Sequence, residues 1–146
     1  MIAIACDHGG LNIKKAVMNH LDELGLEYKD YGTYTTDSVD YPDYAAKVCN
    51  AIISGEADRG ILVCGTGIGM SLAANSFKGI RAALCGDCFS AEYTRRHNDA
   101  NVLCMGERVI GPGLALEITD KFLNTGFEGG RHQKRLDKLA VLKGEK

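Results

Sequence analysis

The stretch Ile61-Leu62-Val63-Cys64-Gly65-Thr66-Gly67-Ile68-Gly69 decides the fold class of this chain. Its first four residues form an apolar run of the kind found in strands that are buried on both faces of a parallel sheet. The glycines that follow predict a tight turn out of the strand, and the pattern predicts a short helix over 71–76. A buried strand that leads through a glycine loop into a helix indicates an α/β fold.

The chain on both sides of this stretch alternates between short apolar runs and helical spacing. Further strands are predicted at 2–6, 28–31, 80–85 and 102–105, and further helices at 13–24, 42–54, 90–97, 114–126 and 134–142. Pro42 suits the first turn of the helix over 42–54, and Ser90 is predicted to be the N-cap of the helix over 90–97. We therefore predict one α/β/α three-layer domain over 1–146, Rossmann-like, with a five-stranded parallel sheet.

Length and composition exclude several classes of protein. The chain has 146 residues, of which 45% are hydrophobic and 25% charged, as expected for one ordered globular domain. The net charge of −2 disfavours nucleic acid as a partner. No apolar run approaches the roughly 20 residues of a membrane helix, and no secretory signal is recognisable, so we expect no membrane contact and a cytoplasmic location.

Six cysteines invite a disulfide interpretation, which we reject because a chain of this size without a secretory signal needs no covalent cross-links. Cys6, Cys64, Cys85 and Cys104 lie in or at the end of apolar runs, so they are predicted to be small buried hydrophobes. Cys85-x-x-Cys88 has redox or zinc spacing, but no second close pair accompanies it. We therefore predict a structural role for that pair, and neither a metal nor a cofactor.

Polar residues follow several of the predicted strands, where ligands of parallel α/β sheets bind. Asp7 and His8 follow the first strand, Gly65–Gly69 the third, and Arg108 the fifth, while the segment 96–99 stands between the fourth helix and the fifth strand. We expect all of these groups to collect at one edge of the sheet.

The glycine loop is suited to bringing backbone N–H groups close to an anion. A dinucleotide loop would have glycine where Met70 stands, and a phosphate-binding P-loop would end in Gly-Lys-Ser/Thr, so neither pattern is present. Cys64 directly precedes the loop, where amide donors and a helix N-terminus favour the thiolate form of a cysteine. Arg131 and Arg135 stand four apart in a basic tail over 127–146 and would share one helix face, an arrangement that suits a phosphate dianion.

Five segments taken together resemble a family of sugar-phosphate isomerases. They are Cys6-Asp-His-Gly-Gly10, Asp40-Tyr-Pro42, Cys64-Gly-Thr-Gly-Ile-Gly69, Arg96-His-Asn-Asp99 and Glu128-Gly-Gly-Arg-His132. The family contains the type B ribose-5-phosphate isomerases and the subunits of galactose-6-phosphate isomerase. The resemblance covers residues 2 to about 140 and implies a homodimer, in some members paired into a tetramer, with active sites shared between two chains.

The resemblance also implies a role for each matching residue. Cys64 would be the base that moves a proton between C1 and C2 of the sugar, and His97 would open the furanose ring. Thr66 and the amides of the loop would stabilise the enediolate; the loop residues are Gly65, Thr66, Gly67, Ile68 and Gly69. Sugar and phosphate contacts fall on Asp7, His8, Asn98, Arg108, Arg131 and Arg135. One branch of the family uses a glutamate at the position of Met70 as its base, so Met70 with Cys64 indicates the thiolate branch.

The chemistry of an aldose–ketose isomerase agrees with these roles. It requires a base that works near neutral pH and donors aimed at the developing oxyanion, and it requires neither a metal nor a redox cofactor. His97 is predicted to lie at a helix C-terminus, where the dipole favours imidazolium. The resemblance thus implies interconversion of ribose 5-phosphate and ribulose 5-phosphate. Two alternatives stay open: the same reaction on allose or galactose 6-phosphate, and a non-catalytic module that binds a phosphosugar or a nucleotide.

Overall fold

A five-stranded parallel sheet forms the centre of the computed structural model, which describes residues 1–145. The strands are β1 (Ile2–Cys6), β2 (Tyr28–Asp30), β3 (Arg59–Cys64), β4 (Ala82–Leu84) and β5 (Val102–Gly106). Their order across the sheet is β2-β1-β3-β5-β4, and every neighbouring pair is parallel. The chain moves to one side after β1 and to the other side after β3, which opens a crevice between the carboxyl ends of these two strands.

Helices cover both faces of the sheet. They are α1 (Leu11–Leu24), α2 (Tyr41–Ile53), α3 (Ile68–Ala74), α4 (Cys88–Asn98), α5 (Pro112–Asn124) and α6 (Arg131–Leu142). The helices α1, α4 and α5 contribute side chains to one apolar core, while α2 and α3 contribute to the core on the opposite face. The predicted three-layer α/β/α arrangement with five parallel strands is therefore confirmed.

The strands form where the sequence places uninterrupted apolar residues. All five residues of β1 and all five of β5 are buried, as are the last five residues of β3. Such burial on both faces removes the alternation of polar and apolar residues that an exposed sheet would show. β4 is shorter than predicted, because only residues 82–84 pair with β5.

Every helix differs from its prediction by one to three residues at one or both ends, and three of the starts have an identifiable cause or consequence. Gly67 adopts the left-handed conformation, with a φ of 80°, so α3 begins at Ile68 rather than at 71. The prediction of Ser90 as an N-cap is wrong: Asp87 caps α4, and its carboxylate accepts the N–H of Ser90 at 2.6 Å. The last helix, α6, begins at Arg131 instead of 134.

The basic tail predicted over 127–146 contains the whole of α6, whose buried residues are His132 and Leu136 and which contacts α4 through the stacked rings of His132 and His97. Lys146 lies outside the described residues. Within residues 1–145, no helix combines the length and the apolar character needed to cross a membrane.

Candidate active site

The crevice between the carboxyl ends of β1, β3 and β5 brings together Asp7, Cys64 and Arg108. Backbone hydrogen bonds fix the segments that carry them. The N–H of Asp7 donates to the carbonyl of Val63 at 3.2 Å, and the N–H of Arg108 donates to the carbonyl of Gly65 at 3.0 Å. These polar residues therefore lie side by side on the edge where the sequence predicted a site.

Cys64 is the last residue of β3, and its thiol lies at the base of the glycine loop. The side chain is 5% exposed, and its Sγ atom accepts the N–H of Gly67 at 3.1 Å. Thr66 is exposed above it, with Oγ1 accepting the N–H of Ile68 at 3.2 Å. The loop thus curls around the sulfur and directs a backbone donor at it.

The loop keeps this shape because two glycines permit very close backbone approaches. A Cβ atom on Gly67 would lie 2.5 Å from the Leu84 side chain, and a Cβ on Gly106 would lie 2.5 Å from the backbone of Thr66. Real Cβ atoms do not tolerate such distances, so a side chain at either position would displace the loop. Gly67, directly before α3, and Gly106, at the end of β5, therefore determine where Thr66 and the loop amides lie.

Asp7 and His8 form the wall of the crevice that follows β1. The carboxylate of Asp7 is buried, and its Oδ1 accepts the N–H of Gly9 at 2.8 Å. The exposed His8 accepts the N–H of Val39 at its Nδ1, at 3.1 Å. In the neutral ring this contact places the proton on Nε2, so that His8 presents a donor to solvent.

Tyr41 and Met70 complete the surroundings of the loop. The Tyr41 ring lies against Gly69, where a Cβ would come within 2.8 Å of the ring. Met70 is fully buried in the core beneath α3. An apolar, buried side chain at this position provides no proton acceptor, which leaves Cys64 as the base candidate of the loop.

His97 and Asn98 lie at the edge formed by the amino ends of the strands (the amino edge), whereas Cys64 lies at the edge formed by their carboxyl ends (the carboxyl edge). The expectation that these residues share one edge is therefore wrong. His97 and Asn98 form the last turn of α4, which runs from the carboxyl end of β4 back to the amino end of β5. The backbone carbonyl of Asn98 accepts a hydrogen bond from the guanidinium Nε–H of Arg81, a residue that precedes β4. A six-residue strand such as β3 separates the two edges by about 16 Å.

His97 belongs to a cluster that also contains Glu128 and His132. The rings of His97 and His132 stack with centroids 4.1 Å apart, and Tyr93 meets the His97 ring edge-on at 5.2 Å. Glu128 Oε1 lies 3.9 Å from Nε2 of His97 and 3.5 Å from Nε2 of His132. Desolvation, together with the charges of His97 and Arg131, lowers the pKa of His132.

Arg131 and Arg135 extend from α6 beside this cluster. Both are exposed and stand four apart on the helix, so they share the face that the sequence predicted. The structure therefore divides the predicted site residues into two groups. One group at the carboxyl edge contains Asp7, His8, Gly65, Thr66, Gly67, Ile68, Gly69, Cys64 and Arg108, and the other at the amino edge contains His97, Asn98, Arg131 and Arg135.

An open groove of about 390 Å³ runs along β4 and α4 between the two edges. Leu84, Cys85 and Phe89 line its end at the carboxyl edge, and Tyr93, His97 and Asn98 line the other end. Ile68, Leu72, Leu84 and Phe89 are large apolar side chains that remain exposed around α3 and β4. This surface therefore combines exposed apolar area with one half of the predicted site.

Four of the remaining five cysteines are buried in the core, and burial disfavours the thiolate form of Cys6, Cys49 and Cys85. Burial raises the pKa of Cys6 and of Cys49 to about 11, and that of Cys85 to about 12. Cys88 is half-buried, and its Sγ lies 4.0 Å from a Glu117 carboxylate oxygen. All six cysteines are free thiols, in agreement with the predicted absence of disulfides.

Sequence reasoning assigned no role to Tyr41, Glu128 or His132, although all three lie in the segments that carry the family resemblance. Glu128 and His132 are four residues apart, yet Glu128 precedes α6, so helical spacing does not connect them. Their contact with His97 links α4 to the start of α6 across more than thirty residues. Such a contact follows from tertiary packing and has no local sequence pattern.

Comparisons with known proteins converge on one family. Residues 2–139 match the family model described as ribose/galactose isomerase. The chain is 48% identical to ribose-5-phosphate isomerase B of Escherichia coli over 141 residues, which is 97% of this chain and 95% of that protein. The structure of a ribose-5-phosphate isomerase B from Clostridium thermocellum superimposes with a TM-score of 0.97 at 49% identity, covering 99% of this chain and 97% of the other.

A third similar protein was solved with a bound sugar phosphate. It is the ribose-5-phosphate isomerase B of Mycoplasma genitalium with bound ribulose-5-phosphate. Its TM-score to this chain is 0.93 at 41% identity, covering 99% of this chain and 97% of that one.

Proposed function

This chain belongs to the ribose/galactose isomerase family, and from that premise we propose that it interconverts D-ribose 5-phosphate and D-ribulose 5-phosphate. The observation that carries the proposal is the position of Cys64, whose buried thiol accepts a backbone N–H from the glycine loop. The reaction moves one proton between neighbouring carbons and consumes no other reactant. This chain therefore has to supply a base, donors for an oxyanion and a phosphate site.

Cys64 acts as the base. As a thiolate it removes the proton from C2 of the open-chain aldose, the electron pair forms the C1–C2 double bond, and the carbonyl oxygen at C1 becomes the oxyanion of an enediolate. The proton on O2 passes to O1, the thiol returns the carbon-bound proton to C1, and O2 becomes the ketose carbonyl. A thiolate accepts the Gly67 N–H more strongly than a thiol does, so the loop supports the form of Cys64 that begins the reaction.

The loop amides and Thr66 stabilise the enediolate. The loop presents backbone N–H groups and the exposed Thr66 hydroxyl immediately beside the buried sulfur, and donors held in place beforehand need no reorganisation when charge develops. Asp7, His8 and Arg108 lie at the rim of the same crevice, where they contact the hydroxyl groups of the sugar.

A second copy of the chain completes each site. His97, Asn98, Arg131 and Arg135 lie at the amino edge, too far from Cys64 to contact the same small sugar within one chain. In a two-fold dimer, the amino-edge group of one chain lies over the carboxyl-edge group of the other, and the reverse contact forms a second site. The exposed apolar side chains of α3, β4 and α4 suit such an interface.

The partner-supplied residues have separate tasks. Ribose 5-phosphate is mostly cyclic in water, so its ring oxygen needs a proton before the carbonyl forms, and His97 donates that proton. Arg131 and Arg135 bind the phosphate through charge-assisted hydrogen bonds. The pairing of dimers into a tetramer and a cytoplasmic location remain predictions from the family resemblance and the sequence.

The test is a comparison of turnover by wild-type protein on ribose 5-phosphate, allose 6-phosphate and galactose 6-phosphate under one set of conditions. We expect the highest kcat/KM with ribose 5-phosphate and a loss of that activity in the Cys64→Ala variant. Preference for a six-carbon substrate would contradict the proposed substrate. Binding of all three sugar phosphates without turnover would indicate a non-catalytic module. If sugar phosphate fails to protect Cys64 from alkylation, Cys64 is not part of the substrate site.

A further inference from the structure

Three potential metal ligands from separate parts of the chain converge beside α4. They are His97 in the last turn of α4, Glu128 in the loop that precedes α6, and His132 in the first turn of α6. One ligand atom from each residue lies within 4.8 Å of the other two. The proposed reaction gives a task to His97 and none to Glu128 or His132.

We propose that His97, Glu128 and His132 form a binding site for a divalent transition metal such as Zn²⁺, and that the bound ion inhibits the enzyme. Two imidazoles and one carboxylate are a common ligand set for zinc, with a fourth position left for water. Imidazole nitrogen favours zinc, copper or nickel over magnesium and calcium, which prefer oxygen ligands. The inhibitory part of the proposal rests on the proposed function, whereas the metal site does not.

The distances require a small rearrangement. Glu128 Oε1 lies 3.5 Å from Nε2 of His132 and 3.9 Å from Nε2 of His97, whereas ligands about 2.0–2.2 Å from one zinc ion are spaced by roughly 3.3 Å. The two imidazoles are stacked at an angle of 11°, so one ring has to turn before both nitrogens face the same ion. His97 is 38% exposed and is the ring with space to turn, while His132 is 8% exposed and held by packing.

The surrounding charged side chains leave one carboxylate oxygen of Glu128 available to bind a metal ion. Arg96 approaches the other oxygen of Glu128, Oε2, at 3.5 Å, and the Glu128 N–H donates to the Arg96 carbonyl at 3.0 Å. These contacts hold the loop while Oε1 faces the histidines. Arg131 and Arg135 add positive charge close to His132, so we expect zinc to bind more weakly here than in a structural site closed by thiolates.

Inhibition follows from the loss of the His97 proton. A metal on Nε2 replaces the proton that this nitrogen would carry in the imidazolium form, so the same nitrogen has nothing to donate to the ring oxygen of the substrate. Removing the ion with a chelator allows His97 to carry its proton again and to donate it. Zinc is therefore expected to act as a reversible inhibitor of aldose turnover.

Metal binding is tested without substrate on the full-length protein. Calorimetry with Zn²⁺ and absorption spectroscopy with Co²⁺ are carried out on wild type and on His132→Gln, Glu128→Gln, His20→Gln and Cys64→Ala. His20 is the matched control, because it is a histidine paired with the Asp120 carboxylate at 2.7 Å on a different part of the surface. Cys64→Ala controls for zinc that binds to the thiol.

We expect one ion per chain and a Co²⁺ spectrum without sulfur charge-transfer bands. His132→Gln and Glu128→Gln should each weaken binding at least tenfold, while His20→Gln and Cys64→Ala should bind as wild type does. Absence of binding to wild type, equal affinity in His132→Gln, or loss of binding in Cys64→Ala would each overturn the site.

Activity provides a separate measurement. At a free zinc concentration ten times the dissociation constant, turnover of ribose 5-phosphate should fall about tenfold and recover with chelator. His132→Gln, compared with its own metal-free rate, should lose this sensitivity. Full activity of the zinc-loaded wild type would overturn the inhibition and leave the site intact, whereas failure of the metal-free protein to turn over any substrate would count against the proposed function alone.

Discussion

Cys64 and His97 lie at opposite edges of one parallel sheet. Cys64 ends β3 at the carboxyl edge, while His97 lies in the last turn of α4, just before the segment that enters β5 at the amino edge. An 11-residue helix spans about 16 Å, which matches the length of the six-residue strand β3. A reaction that needs both side chains at one small sugar therefore requires two chains.

Replacing Cys64 by alanine tests the base. Cys64→Ala should lower kcat by roughly 10²–10⁴-fold, the range for loss of a general base, with little change in KM. Cys88→Ser is the matched control, because Cys88 is half-buried outside the proposed site, and its activity should stay within a few-fold of wild type. Near wild-type turnover by Cys64→Ala would exclude Cys64 as the base.

Replacing His97 by asparagine separates ring opening from proton transfer. Ribulose 5-phosphate cannot close a furanose ring through its phosphorylated C5 oxygen, so exchange of its C1 proton with solvent needs Cys64 but no ring opening. His97→Asn should therefore reduce turnover of ribose 5-phosphate far more than this exchange, with both rates followed by NMR in D₂O. An equal loss in the two rates would contradict the ring-opening role.

Removing Arg135 tests the phosphate site. Arg135→Ala should raise KM for ribose 5-phosphate by about 10–100-fold, because it removes a charge-assisted contact of roughly 1.5–3 kcal/mol. Lys134→Ala is the control, since Lys134 is the adjacent exposed cation but points to a different side of α6. Equal KM changes in the two variants would indicate a general effect of positive charge.

The buried thiols predict a loss of stability in alkaline solution. In the unfolded chain cysteine ionises near pH 9.0, but burial holds the pKa of Cys6 and Cys49 at about 11 in the folded protein. Above pH 9 the folded state therefore retains protons that the unfolded state has lost, and the free energy of unfolding falls as pH rises toward 11.

Urea denaturation at a series of pH values measures this effect. Cys49→Ala should show a shallower fall over the same interval than wild type, because one of the buried thiols has been removed. Cys88→Ser should keep the wild-type slope. An unchanged slope in Cys49→Ala would show that other groups cause the alkaline loss.

Much of the fold could be predicted from local sequence. The apolar runs of β1, β3 and β5 are buried on both faces, so their composition alone distinguishes them from loops. Gly65–Gly69 could be placed at the carboxyl edge because the loop directly follows a buried strand. By contrast, Asp87 and Ser90 are both good N-cap residues, so residue type alone does not decide where α4 starts. The start is set by which side chain accepts an unpaired N–H of the first turn, and Asp87 does so.

The position of His97 shows what local patterns leave open. A segment between a helix and the next parallel strand always lies at the amino edge, so topology separates His97 from Cys64 even though both adjoin strand ends. The contacts of His97 with Glu128 and His132 arise from the packing of α6 on α4. Neither spacing nor composition encodes where a C-terminal helix returns to the sheet.

Complementation between two inactive variants tests the shared site most directly. Cys64→Ala and His97→Asn proteins are unfolded together, refolded as a mixture, and compared with each variant refolded alone; heterodimers are verified by native mass spectrometry. In a two-fold dimer each heterodimer contains one site with both Cys64 and His97 intact, so the mixture should recover about a quarter of wild-type turnover of ribose 5-phosphate. No recovery in verified heterodimers would mean that both residues serve a site within one chain, and it would contradict the account.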